Sequence, residues 1–390
     1  MEFRQVKIED VADVTKLAGF EFTKYIKYNE TGEIIALRAI NIRNNRLDLT
    51  DIKRIDKSVS ESLIRSKLYK DDIILTYTGN GAGAAAIIDE NDKYHLAPNI
   101  CKITPKEINP YYLYKYITSN KFQKEISNNI GGSGQPTIPM KTIRVLSIFV
   151  PSRCNQNKIG KTLKNIDDKI KLNNEINNNL YEMCNVLYHQ LLDDNKSNIE
   201  YKTIGEIAKK VITGKTPPTK NKEYWGGNIP FITIPDMHNQ IFTINTERYI
   251  TKEGAKSLIP KNSISVSCIA TVGLVSINDK DSQTNQQINS IVIENDYDLY
   301  YLFEFLTEQE QYMKSIAGGS TTYNINKNTF ENIQVPYLNK ELIIEYDKKV
   351  RPMFEKIKSN QISNDTLSQL RDTLLPKLMN DEIDLDNIEI

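Results

Sequence analysis

Cysteine and histidine are scarce in this sequence, and long apolar runs are missing. Four cysteines (Cys101, Cys154, Cys184, Cys268) and three histidines (His95, His189, His238) are spread through 390 residues. Successive cysteines lie 53, 30 and 84 residues apart. That spacing fits neither a zinc site nor a disulfide framework, so free thiols in a reducing compartment are expected. The scattered histidines argue against a compact metal or His-based catalytic centre. No segment approaches the roughly 18 apolar residues of a membrane helix. The opening MEFRQVKIEDVADV carries early acids and no apolar h-region, so no secretory signal is visible and a cytoplasmic protein is expected.

Net charge of one sign is lacking too. Fifty basic and fifty acidic residues balance to zero. The balance argues against a stand-alone nucleic-acid binder, because phosphate neutralisation dominates such affinity. A DNA reader of this composition needs local patches or a partner to supply the positive field. Walker A, zinc-ligand and Ser/His/Asp patterns are also missing, so no cofactor or metal is expected on this chain.

Hydrophobic residues make up 39% and charged residues 26%, enough for packed cores in a chain long enough for two or three units. The chain is written twice. Gly131-Gly132-Ser133 recurs as Gly318-Gly319-Ser320, an offset of 187 residues. A Tyr/Leu-rich helical stretch precedes each triplet (111–126 and 299–316), and a β-like run ending in Val-Pro follows (Val150-Pro151, Val335-Pro336). Each half then enters a long helical pattern. In the first, Ile159, Leu163, Ile166, Ile170, Asn173, Asn177, Leu180, Cys184, Leu187 and Leu191 alternate steps of four and three, as a coiled-coil seam does. The second copy reads Tyr346, Val350, Met353, Ile357, Asn360, Asn364, Leu367, Arg371, Leu374 and Leu378. Arg371 is its one charge, with Leu370 beside it to fill the seam, and Pro352 is expected to kink or delay the helix.

The matched asparagines have two readings. Paired in the seam they cost stability and fix register; alternatively, this stretch faces water in both copies. Antiparallel pairing about a pseudo-twofold sets Asn173 against Asn364 and Asn177 against Asn360. The first helix would then be a rod of ~65 Å at 1.5 Å per residue. The globular parts read as mixed α/β. Each opens with an amphipathic element (8–14, 204–211), followed by β-like runs such as 72–79, 227–234 and 263–277, with Gly/Pro/Thr/Asn loops between.

Candidate chemistry is thin. Gly79-Asn80-Gly81-Ala82-Gly83 superficially suggests a cofactor loop, but AAAIIDEND follows and reads better as strand-turn-strand. Its repeat partner, Ala270-Thr271-Val272-Gly273, lacks the glycine pattern. Asn109-Pro110-Tyr111-Tyr112 resembles the Asn-Pro-Pro-Tyr/Phe motif of amino-methyltransferases without its second proline. An Asn cap with Pro at the first helical position is an ordinary helix start. Asp167-Asp168 reads as a solvated helix flank. The loops after each Gly-Gly, with Ser133, Gln135 and Thr137 in one copy and Ser320, Thr321 and Thr322 in the other, offer short donors suited to phosphates or base edges. Thr78 and Thr271 join them, as do Lys215, Thr216, Lys220 and Tyr224 of the loop opening the second half. These are the DNA-facing candidates; flexible connection is the bland alternative.

Three stretches carry a family resemblance. GKTPPTKNKEYWGGNIPFITIPDM (214–237) resembles the opening of a target recognition domain in type I restriction-modification specificity subunits. LRDTLLPKLMNDEI (370–383) resembles the tail of their distal conserved helix, and Gln156-Asn157-Lys158-Ile159 the start of their central one. The resemblance implies an α/β (α+β) chain in which two similar recognition domains are separated by two long antiparallel helices. The expected boundaries are 1–150 and 199–336 for the domains, with helical segments at 151–198 and 337–390. It also implies double-stranded DNA with a bipartite target, two methyltransferase subunits carrying AdoMet, and restriction subunits using ATP and Mg²⁺. The first half departs from the pattern, since it lacks the GKTP and YWGG sequences. Two other readings remain: a self-contained DNA methyltransferase or nuclease, and a helical spacer that never touches DNA.

Overall fold

The computed structural model describes residues 3–131, 134–238, 240–318, 323–379 and 382. They fold into two compact units, Met1–Asp168 with Leu367–Ile390, and Lys169–Thr366. The boundary falls inside two long helices, Arg153–Asp194 and Lys340–Met379, so each unit holds one end of each.

In the first unit, strands β1 (Ala12–Lys16), β2 (Ile73–Thr76), β3 (Ala85–Ile87) and β4 (Ile100–Pro105) form an antiparallel sheet in the order β1-β4-β2-β3. Residues of β2 and β4 are almost continuously buried, as expected of a sheet covered on both faces. A second sheet pairs Ile34–Leu37 with Lys53–Ile55 and, in parallel, with Tyr94–Leu96. Between β1 and that sheet lies a short helix, α1 (Gly19–Tyr25). Helix α2 (Pro110–Ile117) starts as an ordinary capped helix: Asn109 Oδ1 accepts from the Tyr112 N–H at 2.9 Å, with Pro110 at the first turn.

The second unit repeats this plan. Strands β5 (Ala208–Thr213), β6 (Ile264–Ser267), β7 (Val275–Asn278) and β8 (Ile288–Ile293) run in the order β5-β8-β6-β7, with Phe242–Thr243 added at the β7 edge. A parallel pair, Trp225–Ile232 with Ser282–Thr284, stands where the first unit has 34–37 with 94–96. Helix α3 (Asp298–Thr307) is the counterpart of α2 and is buried along most of its length.

Several expectations need correction. The elements read as amphipathic at 8–14 and 204–211 are one helical turn followed by a strand, Ile8–Val11 then Ala12–Lys16, and Ile204–Ile207 then Ala208–Thr213. The Tyr/Leu-rich stretches each split into two helices, Pro110–Ile117 with Asn120–Asn128, and Asp298–Thr307 with Glu310–Ile316. Pro352 does not delay its helix, which begins at Lys340 and runs through the proline. Packing on one face offsets a single missing N–H: Val350, Phe354 and Ile357 are fully buried around it.

Within each unit the two helical segments pack antiparallel. In the first, Ile159 and Leu163 share a core with Leu374, Leu375, Leu378 and Met379. In the second, Asn173 donates to Asn364 and Asn360 donates to Asn177, both at 2.8 Å. Asn173, Asn177 and Asn360 are buried, so here the chain has exchanged apolar seam contacts for satisfied amides.

Candidate nucleic-acid interface

One end of the β1–β4 sheet gathers four loops. Backbone hydrogen bonds tie three of them together, and side-chain contacts add to these. The β2–β3 turn needs left-handed backbone at Gly79 (φ 105°) and Gly83 (φ 100°), conformations open to glycine at little cost. Gly79 N–H donates to Pro136 O at 2.8 Å, and Ile138 N–H to Tyr77 O at 2.8 Å, tying the turn to the segment after the Gly-Gly. Tyr77 N–H donates to Asn99 O at 3.0 Å, which brings in the loop before β4. Lys16, the last residue of β1, places its ammonium 5.1 Å from the centre of the Tyr77 ring.

The second unit builds the same arrangement. Ala270 N–H donates to Tyr323 O at 3.0 Å, Ile325 N–H to Cys268 O at 2.9 Å, and Cys268 N–H to Gln287 O at 2.8 Å. These match the Gly79, Ile138 and Tyr77 bonds one for one. The turn keeps its left-handed residues too, at Ala270 (φ 65°) and Gly273 (φ 95°). The glycine pattern is lacking, as expected, apart from Gly273, where a Cβ would sit 2.8 Å from Glu310 Cα. Ala270 bears a left-handed cost of roughly 1–2 kcal/mol, strain of the kind that collects at functional turns.

Of the candidate residues, Thr78 and Thr137 meet in a β-bridge, with their hydroxyls 3.4 Å apart, and Gln135 is exposed beside them. Thr271 is exposed on the β6–β7 turn. Lys215 and Thr216 leave the end of β5, and Thr216 donates to Gln286 Oε1 at 2.6 Å, joining the loop before β8. Lys220 is exposed, but the bonds of Tyr224 run elsewhere: its carbonyl accepts from Thr251 N–H, and its ring lies 5.8 Å from the Lys256 ammonium. Ser133, Ser320, Thr321 and Thr322 lie outside the described residues. The sequence reading missed Lys16, Asn99, Gln286 and Tyr323, the last 47% exposed. A single fixed repeat offset hides them, because insertions shift the match between strands.

Exposed lysines, hydroxyls, amides and turn N–H groups on a rigid strand end suit contacts to phosphates and base edges. The chemistry of nucleophilic catalysis is poorly served by contrast. Burial pushes the Cys101, Cys184 and Cys268 thiols up to about 12, where the reactive thiolate is scarce.

Comparison with known proteins agrees with the duplicated fold. The family model described as "Type I restriction modification DNA specificity domain" matches residues 1–182 and again 196–367. The chain belongs to the type I restriction-modification specificity subunits. It is 30% identical to the HindI specificity subunit of Haemophilus influenzae, over 91% of this chain and 95% of that one. It is 36% identical to the MjaIX specificity subunit of Methanocaldococcus jannaschii over 40% of each chain. In fold it resembles the crystal structure of the S subunit from M. genitalium, with a TM-score of 0.65, 16% identity, and 97% and 96% of the two chains covered. As a specificity subunit, it recognises DNA sequence and is not itself the catalyst.

Two polar groups of this specificity subunit lie where the long helices meet α2 and α3. Asp167, expected to be solvated, is a half-hidden hub. Lys115 of α2 reaches its Oδ2 at 2.5 Å, Tyr111 donates to the same oxygen, and Arg371 donates to Oδ1 at 2.9 Å. Burial alone would raise this carboxyl, yet Lys115, Tyr111 and Arg371 together hold it down at about 2. Arg371 thus fills its seam position as an ion-pair partner, and Leu370 stays 47% exposed instead of replacing it. In the second unit Glu304 of α3 is fully buried, with one oxygen lacking a partner and the other 3.5 Å from Asn185 Nδ2. Burial, with Glu308 adding to it, pushes its pKa up to about 8.

Proposed function

We propose that each unit reads one half of a bipartite double-stranded DNA sequence through its gathered strand-end loops. The observation that carries this reading is the repetition of the three cross-loop backbone bonds, Gly79–Pro136, Ile138–Tyr77 and Tyr77–Asn99, as Ala270–Tyr323, Ile325–Cys268 and Cys268–Gln287. A scaffold held by backbone bonds leaves its side chains free to differ, which is what reading two different half-sites requires. Thr78, Gln135 and Thr137 serve the first half; Lys215, Thr216, Lys220 and Thr271 serve the second, with Ser133, Ser320–Thr322 and Tyr224 as further DNA-facing candidates. The register asparagines, Asn173, Asn177, Asn360 and Asn364, fix the pairing of the long helices.

In this reading the chain works in the cytoplasm, docked to two methyltransferase subunits and to restriction subunits. AdoMet, ATP and Mg²⁺ belong to those partners, and this chain holds none. The balanced net charge fits, since partners enclosing the duplex would supply the remaining positive field. Among the described residues no helix is long and apolar enough to cross a membrane.

Single-molecule mapping of N6-methyladenine in host DNA, with and without the gene, tests the proposal. Methylation at one bipartite motif should vanish on deletion. Replacing residues 1–150 with another recognition domain should change one half of that motif only. An unchanged methylation map would refute the reading.

A further inference from the structure

The two units differ in what leaves the first strand. Lys16 ends β1 opposite Cys101, and Thr213 ends β5 opposite Asn289, each beside the loop that holds the hairpin turn. In the second unit the chain continues as the loop 214–224, with Lys215, Thr216 and Lys220. In the first it continues as helix α1, GFEFTKY. These are structurally equivalent positions in the repeat, occupied by unrelated segments.

Helix α1 carries a phenylalanine on each of two opposite sides. Phe22 packs against the core of the second sheet, and Ile26, just past the helix, is buried in it. Phe20, roughly opposite Phe22 at 100° per residue, is 69% exposed. A lone exposed apolar side chain is ordinary, so exposure alone decides nothing. The charge around it does. Between Lys16 and Tyr28 the only acid is Glu21, whose carboxylate is occupied in capping the Ala18 N–H at 3.1 Å. Lys16, Lys24 and Lys27 are all exposed, and Lys24 shares the Phe20 side of the helix at i+4. The neutral chain thus sets three exposed lysines against a single carboxylate around a protruding ring, beside the strand end already assigned to DNA.

We propose that α1 is a DNA-contacting element of the first recognition domain, with Phe20 inserted against the bases and Lys16, Lys24 and Lys27 on flanking phosphates. This rests on the DNA-reading assignment of the strand end and adds an aromatic wedge to it. An apolar ring meeting a base face or a thymine methyl contributes through stacking and contact, without hydrogen bonds. The two half-sites are therefore read by different means, a ring-bearing helix in one and a lysine/hydroxyl loop in the other.

The test uses the full chain assembled with its methyltransferase subunits, binding duplexes that carry the mapped motif. Phe20→Ala should weaken binding about tenfold, with the salt dependence unchanged and Phe20→Trp restoring affinity. Lys16→Ala/Lys24→Ala/Lys27→Ala should lower the slope of log affinity against log salt by roughly one for each phosphate no longer neutralised. A base analogue that fluoresces on unstacking, placed in the first half-site, should lose its response in Phe20→Ala and keep it in Thr216→Ala. Both variants change exposed side chains, so unaltered thermal melting separates weakened DNA binding from misfolding. If the wild-type assembly binds no motif, the DNA-reading assignment falls and this inference with it. If the wild type binds, Thr216→Ala weakens it, and the α1 variants bind normally, the inference alone is overturned. Weakened assembly with the methyltransferase subunits at unchanged salt slope would also overturn it, placing α1 at a protein contact.

Discussion

Replacing Glu304 with glutamine should stabilise the second unit, increasingly so as pH rises. Its carboxyl is fully buried on α3, with one oxygen unpartnered, and its pKa stands at about 8 against an ordinary 4.5. The folded state therefore keeps a proton that the unfolded chain releases. Stability falls as pH climbs from about 4.5 to about 8 and then levels. Each pKa unit is worth about 1.36 kcal/mol. At pH 7 the group costs about 3 kcal/mol relative to a side chain that is neutral in both states, and about 5 kcal/mol above pH 8. Glu304→Gln removes that cost while keeping the shape. Trp225, the only tryptophan, lies in the second unit with its ring 5.2 Å from Phe231 and 4.8 Å from the Arg248 guanidinium. Its fluorescence reports urea unfolding of this unit. The variant's midpoint should match wild type near pH 4.5 and exceed it by about 1 M or more at pH 8. Glu308, His189, Tyr181 and Cys184 are the same in both proteins, so the difference between them reports the change at Glu304. A difference that stays constant with pH, or a variant less stable at pH 8, would refute the reasoning.

Asp167→Asn should cost about 3–5 kcal/mol, because the buried Lys115 loses its carboxylate partner while Arg371 retains Asp372; faster hydrogen exchange across residues 110–117 would report it. Asn360→Leu alone should cost about 1–3 kcal/mol by stranding the Asn177 amide. Asn177→Leu/Asn360→Leu should recover most of that loss, and a double-mutant cycle followed by Trp225 fluorescence measures the coupling. Gly160→Val should cost about 1–3 kcal/mol, since a Cβ there lies 2.5 Å from the Asn109 Oδ1 that caps α2; a melting temperature unchanged in this variant would contradict the clash.

The long helices were legible because heptad spacing is a local signal that needs no knowledge of the partner. Even so, Asp167 and Arg371 look like flank and intrusion in sequence. Their meaning comes from α2, whose Lys115 is 52 positions away from Asp167 in the chain. The hairpin turns were half legible. Gly79 and Gly83 mark the left-handed backbone, but Ala270 adopts it against its own preference, so composition conceals the match. The strand-end cluster was the least legible part. Its bonds are made by backbone groups, which every sequence supplies, and its exposed members, Gln286 and Tyr323, carry no pattern of their own. Burial of Glu304 is hidden likewise: on α3 it sits between Phe303 and Phe305, and only packing on all sides decides that it has no water.

These features separate scaffold from reader. In each unit the sheet order, the parallel pair and the three cross-loop bonds recur, although Gly79 is matched by Ala270 and Pro136 by Tyr323. None of the recurring bonds uses a side chain, so exchanging the residues around them costs the scaffold little beyond local propensity. The variable parts are inserted where regular pairing stops, after Lys16 and after Thr213. A helix such as α1 and a loop such as 214–224 can both be anchored there because each is satisfied locally, by the Glu21 cap in one case and the Thr216–Gln286 bond in the other. A protein that must recognise two unlike half-sites from one duplicated fold needs that division, with geometry held by the backbone and discrimination carried by segments free to diverge.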